Sequence, residues 1–347
     1  MSLVKQSGGG AALPGAVSLF NRDDVPAGYT PITGVVVPPY LYKQPRTTLI
    51  TDPTHIGGVA STIEGHWLTD YASDEHVYLL NGAVLRRFNP FTGDCVQLAA
   101  CPSAPTYAVS TPGGIYAYGA NTAATPGRIV YRYEPSSDSW SQVVSLPAAR
   151  FSAGAVYVAE EDSVYILGGS SAYTLTNTIT YLGTVVVHNL AANTVTASAI
   201  TLPATHSYRA APAGPGRIHV WGGNVAAISV VLSLSTGVVT DVPSPFANKV
   251  SYTAVSRPDG SLLVLGTVTT EVFTLAPGAV NFTPAAGVAG SALRTPRFYN
   301  SNSYASQVLP LRDDLILTSV GGSHLALTNL AGLDKAPRGT LFFARKD

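Results

Sequence analysis

The side chains best able to do chemistry are few and scattered. Seven histidines occur: His55, His66, His76, His188, His206, His219 and His324. None forms an H-x-H or H-E-x-x-H spacing, and the chain has no C-x-x-C, so no metal site is assigned. His219 and Trp221 alternate along one apolar run, which points both at one interface. The two cysteines, Cys95 and Cys101, are too few for a disulfide framework. They read as reduced, partly buried thiols, with a mutual pair as the alternative. Glycoside chemistry would need paired carboxylates. The acids sit mostly in turn segments such as Glu160-Glu161-Asp162 and read as solvated tips. The arginines offer more. Arg150-Phe151, Tyr208-Arg209 and Arg297 near Tyr299 each set a guanidinium beside an aromatic ring, and Tyr107 and Tyr252 hold comparable places. Such a set suits an acidic sugar or a carboxylate, Arg by forked hydrogen bonds and Tyr by stacking. The alternative is structural: the same arginines tie strand starts to backbone carbonyls. No cofactor is implied.

The elements that must position these residues are repeated. Val164-Tyr165-Ile166-Leu167-Gly168-Gly169 is an apolar run ending in a glycine stop, preceded by a turn and another apolar run, Ala153 to Val158. That is a β-hairpin pattern. Equivalent stops fall at Gly82, Gly119, Gly169, Gly223, Gly266 and Gly322, in steps of 37, 50, 54, 43 and 56 residues. A period near 48 is the signature of four-stranded propeller blades. A second marker alternates with the first. Five-residue turns start at Asn89, Glu134, Asn189, Ser233 and Thr274 and close on Gly93, Asp138, Asn193, Gly237 and Gly278. Polar residues or glycine at the ends suit left-handed or Asx geometry. Six units are therefore expected. The last either uses its own C-terminal strand, Thr340 to Ala344, or borrows one from the arm, Ile32 to Val37. In a propeller the starts of the innermost strands ring the channel mouth. Arg150, Phe151, Tyr208, Arg209, Tyr252, Arg297 and Tyr299 are thus the expected ligand-binding set.

Composition agrees with an all-β chain. Charged residues make up 12% of the 347, about half the usual share. Lys and Glu are scarce, and Val, Thr, Tyr and Ser are common. The formal net charge is zero, so nothing attracts nucleic acid or anionic lipid. The first residues lack a secretory apolar core, and no run of about 18 apolar residues suits a membrane span. Synthesis in a cytoplasm without a signal peptide is expected.

Residues 1–52 do not share the repeat. Gly8-Gly9-Gly10 is followed by Pro14, Pro26, Pro31, Pro38, Pro39 and Pro45 among short apolar pieces. This density of proline excludes helix. The segment reads as an extended docking arm, with Leu19, Phe20, Val25, Tyr29, Ile32, Val35, Tyr40 and Tyr42 as its partner-facing residues. Residues 53–347 are read as the propeller.

The repeats resemble kelch repeats, of the galactose-oxidase-like β-propeller family. Tyr133-Glu134-Pro135-Ser136-Ser137-Asp138-Ser139-Trp140 carries the tyrosine, acidic-proline turn and tryptophan of that family, and the double glycines at 168–169, 222–223 and 321–322 match its other hallmark. The resemblance implies a six-bladed kelch-like β-propeller with an extended N-terminal arm. The family's copper oxidases need a Cys–Tyr crosslink that Cys95 and Cys101, near the rim, are not placed to make. The arm segments Ala12 to Phe20 and Val25 to Pro31 resemble bacteriophage tail-appendage proteins. Together these imply a non-enzymatic virion component of a phage tail or fibre. The arm would dock on other virion proteins, and the propeller would meet a host-surface receptor or glycan. A homo-oligomer is compatible with this reading. A glycan-acting enzyme or sugar-binding propeller is the alternative, and a cellular kelch scaffold a third.

Overall fold

The computed structural model describes residues 29–31, 47–50, 66–73, 76–89, 94–119, 127–171, 180–205, 208–223, 227–246, 252–257, 259–266, 272–284, 308–310, 315–320, 324–329 and 343–345. Two short strands come first, β1 (Tyr29–Pro31) and β2 (Thr47–Ile50). Blade one is β3 (His66–Thr69), β4 (Val77–Asn81), β5 (Val84–Phe88) and β6 (Cys95–Gln97). Blade two is β7 (Tyr107–Thr111), β8 (Gly114–Tyr118), β9 (Ile129–Glu134) and β10 (Ser139–Ser145). Blade three is β11 (Gly154–Val158), β12 (Ser163–Leu167), β13 (Thr184–Asn189) and β14 (Thr194–Thr201). Blade four is β15 (Tyr208–Pro212), β16 (Arg217–Gly222), β17 (Ile228–Ser233) and β18 (Val239–Asp241). Blade five is β19 (Tyr252–Ser256), β20 (Leu262–Gly266), β21 (Val272–Leu275) and β22 (Thr283–Pro284). Each is an antiparallel meander, and the fold is an all-β propeller.

The structure shows five blades, one fewer than the expected six. The last glycine-stop unit supplies only β23 (Val308–Pro310), β24 (Leu315–Val320) and β25 (His324–Asn329). The outer strand of that sheet is β2, paired from Thr47↔Thr328 to Ile50↔Leu325. Residues 330–342, which follow β25 and would hold its turn, lie outside the described residues. The C-terminal segment expected to complete it forms β26 (Phe343–Arg345) and pairs with β1 instead. The other expected donor, Ile32 to Val37, lies outside the described residues. Inner strands β3, β7, β11, β15 and β19 neighbour one another in turn, and β23 lies against both β19 and β3.

Burial explains the strand order. The second strand of a blade is covered on both sides by neighbouring blades, and β8 and β12 are buried at every position. The outer strands β10 and β14 are Ser/Thr-rich and mostly in water. The cores lie between blades: Tyr208, Ile218 and Val220 of blade four pack with Tyr165, Leu167 and Val185 of blade three. The double glycine sits where two strand starts press on one point. A Cβ on Gly168 would lie 2.7 Å from the Thr205 carbonyl, and one on Gly169 would lie 2.8 Å from that of Phe151. The closing residues of the five-residue turns are left-handed, as expected: Asp138, Asn193, Gly237 and Gly278 have φ of 45°, 50°, 70° and 79°.

Candidate functional site

The expected Arg/Tyr ring is built into the seams rather than presented. Arg150 precedes β11 and is 3% exposed. Its Nη1 donates to the carbonyls of Gly168 and of Thr184, the latter at 2.8 Å, and its Nη2 donates to Thr184 Oγ1 at 2.7 Å. One guanidinium thus joins the end of β12 to the start of β13. Burial lowers the Arg150 pKa, and Tyr107 beside it raises it. Phe151 is buried and bridges to Ser170 through the backbone. Tyr208 is buried, and its hydroxyl donates to the Pro203 carbonyl at 2.7 Å. Arg209 reaches across a seam to the Tyr252 carbonyl at 3.3 Å, and Tyr252 is fully buried. Arg209 thus spans the seam between blades four and five, while Arg150 ties strands within blade three; both bond backbone carbonyls, the kind of contact weighed above as the alternative. Arg297 and Tyr299 lie outside the described residues. So do the arm positions Leu19, Phe20, Val25, Ile32, Val35, Tyr40 and Tyr42; Tyr29 begins β1, opposite Arg345.

Two buried histidines sit in the same seams. His219 stacks on Trp221 with ring centroids 5.3 Å apart, and both meet Tyr252 of the next blade. Its Nδ1 lies 3.1 Å from the Val230 carbonyl, an acceptor only, so Nδ1 carries the proton. Nε2 then accepts from the Tyr252 hydroxyl at 3.1 Å, and Ser229 Oγ lies 3.0 Å from that hydroxyl. His188 of blade three meets the Tyr118 hydroxyl of blade two through Nδ1 at 2.9 Å, and Asn193 Oδ1 through Nε2 at 3.3 Å. The Asn193 amide is oriented by donating to Val143 of blade two at 3.0 Å. Nε2 therefore carries the His188 proton.

A pH dependence follows. Burial lowers the pKa of His219 from 6.5 to about 4 and lowers that of His188 as well. The unfolded chain takes up the proton first as pH falls. The contribution is therefore complete above the unfolded value of 6.5 and is lost on descent toward 4. The loss from His219 alone is about 3 kcal/mol. Urea unfolding at pH 4, 5, 6 and 7 should show this slope, and a His219→Gln variant should flatten it. An unchanged slope would remove the assignment.

Asp138, Glu160, Glu161 and Asp162 of the turns are exposed, as expected from sequence. On the face carrying the turns, tyrosine hydroxyls donate to them. Tyr133 bonds Asp138 Oδ1 at 2.8 Å, Tyr157 bonds Asp162 Oδ1 at 3.1 Å, and Tyr165 bonds Glu161 Oε2 at 2.6 Å. Tyr78 pairs with Asp70 in the same way. Burial first, then the carboxylates, push the phenols of Tyr78 and Tyr157 up to about 12. The sequence signal was a spacing of five residues across a turn, shared by Tyr133/Asp138, Tyr157/Asp162 and His188/Asn193. Asp138 Oδ1 also accepts from Ala99 N of blade one at 2.8 Å, and Trp140 Nε1 donates to the Ala99 carbonyl at 2.9 Å. Cys95 and Cys101 are free thiols. Among the described residues, no group of three His, Cys, Asp or Glu is gathered as a metal site.

No protein-family model matches this chain, and no curated protein is similar to it.

Proposed function

We propose that the chain is a non-enzymatic structural and binding component of a bacteriophage tail or fibre, docked by its arm and presenting the propeller to neighbouring proteins or to the host surface. The observation that carries this reading is how the arm joins the ring. Its strand β2 forms the outer edge of the last sheet, and β1 pairs with β26. Strand addition is a recurrent means of attaching one protein segment to another. The arm also resembles tail-appendage segments over Ala12 to Phe20 and Val25 to Pro31. We read the sheet of β23, β24, β25 and β2 as a sixth blade, lying between blades five and one. The kelch reading is supported by Tyr133, Asp138 and Trp140, which lie in the seam to blade one.

The test is incorporation into particles. Deleting residues 1–28 spares both β1 and β2. The truncated protein should stay folded and soluble and should be absent from purified particles of its phage. Incorporation at the wild-type level would overturn the arm's role. A full-length chain absent from particles would overturn the virion assignment.

A further inference from the structure

Tyr71 is the one aromatic side chain among the described residues that stands mostly in solvent, 52% exposed. Its turn is firmly held. The preceding Asp70 is buried; its Oδ1 accepts from Ala72 N at 3.0 Å, and its Oδ2 accepts from Arg87 Nε at 2.8 Å. Ser73 N closes the turn on the Asp70 carbonyl at 3.2 Å. A rigid turn thus fixes a phenol ring in water, where it adds little to the core. Exposed tyrosine of this kind offers a large contact at low entropic cost.

The surroundings are equally organised. The Tyr71 ring meets Tyr157 of blade three edge to face, with centroids 6.5 Å apart and planes at 83°. The Tyr157 hydroxyl is held by Asp162, an exposed residue in the left-handed region at φ 43°. Arg132 and Glu134 of blade two form an ion pair at 2.8 Å. They and Asp162 act electrostatically on one phenol, Tyr116: Arg132 lowers its pKa, and Asp162 and Glu134 raise it. The turn face therefore carries a half-exposed ring, a second ring packed against it and the exposed Asp162 that holds the second ring's hydroxyl, and Arg132 donates to the Gly113 carbonyl in the neighbouring turn of blade two at 2.9 Å.

We propose that this patch binds an uncharged pyranose of a glycan. The sugar's C–H face stacks on Tyr71. Its hydroxyls donate to Asp162 and accept from Arg132, since hydroxyls serve in both directions. The sign of the charge selects the sugar. Glu160, Glu161 and Asp162 are exposed, and Arg132 is already paired with Glu134. The net field is negative, so an acidic sugar is repelled. This preference is opposite to that of an Arg/Tyr ring. The inference rests on the reading that the propeller presents a binding surface, and it names the site and ligand class.

The experiment uses the full chain on an array of glucose-, galactose- and mannose-terminated oligosaccharides and their sialylated counterparts, followed by calorimetry with the best neutral probe. Wild type should bind neutral glycans in preference to sialylated ones. Tyr71→Ala should weaken that binding at least tenfold, while Tyr71→Trp retains it. Both variants should melt with wild type, because the ring lies outside the core. Binding to no neutral glycan, a preference for sialylated ones, or an unchanged Tyr71→Ala affinity would overturn the proposal. Particle incorporation separates this result from the tail assignment. Tyr71→Ala should incorporate normally. Failure to incorporate would mark the patch as a protein-docking face and sink the sugar site alone. Neutral-sugar binding by a chain never found in particles would sink the tail assignment alone.

Discussion

Replacing Arg150 with methionine is expected to destabilise the propeller by about 3 kcal/mol, since leaving a buried hydrogen-bonding group unmet costs about 1–3 kcal/mol. The side chain is 3% exposed, and its donors serve Gly168 and Thr184 at the junction of β12 and β13. Methionine fills part of the volume but leaves the two carbonyls and the Thr184 hydroxyl without that donor, and an unmet buried acceptor carries a desolvation penalty. Arg150→Lys should recover only part of the loss, because an ammonium lacks the planar fork that serves two chain segments at once. Urea midpoints at constant m-value measure this. If Arg150→Met keeps the wild-type midpoint and instead loses affinity for an acidic sugar, the residue belongs to a ligand site and the structural assignment is wrong.

The second large effect is expected at ring closure. Removing residues 1–52 takes away β2, and with it the four pairings to β25. Those backbone bonds contribute on the order of 4 kcal/mol at about 1 kcal/mol each. The deletion also bares β25 as an unpaired sheet edge, a template for aggregation. The comparison is with the deletion of 1–28, which spares β2. The longer deletion should unfold at a clearly lower urea concentration and precipitate at concentrations the shorter one tolerates. A synthetic peptide of residues 44–52 should restore part of the midpoint. Equal midpoints for the two deletions would show that β2 contributes nothing to closure.

What could be read from sequence was local. The glycine stop at Gly168-Gly169 and the closing residues Asp138 and Asn193 are fixed by their own backbone conformations, so residue type reports them directly. The last unit is different: its sheet takes an outer strand from far away in the chain, which no local marker reports. Nothing in Thr47 to Ile50 identifies β25 as its partner, because pairing over such a separation leaves no turn signal. Arg150 shows a different limit. An arginine beside an aromatic ring looks the same in sequence whether it faces a ligand or a backbone carbonyl. The bonds from Arg150 to Thr184 become visible only in the structure. The turn-face tyrosines were more legible than their reading allowed, since the five-residue spacing from Tyr133 and Tyr157 to their aspartates stands in plain view.

The pairing of β2 with β25 also sets a clock. Thr48 is made 279 residues (327 − 48) before its partner Leu327. At about 5–20 residues per second, the early strand waits roughly 15 to 60 seconds on the ribosome before its complement exists. Blades one to five can form in sequence during that wait, since each uses consecutive strands. The last sheet cannot. Closure of that sheet therefore waits until β25 has emerged, and through that interval Thr47 to Ile50 is available to any other open strand edge, including those of nascent sister chains on the same message.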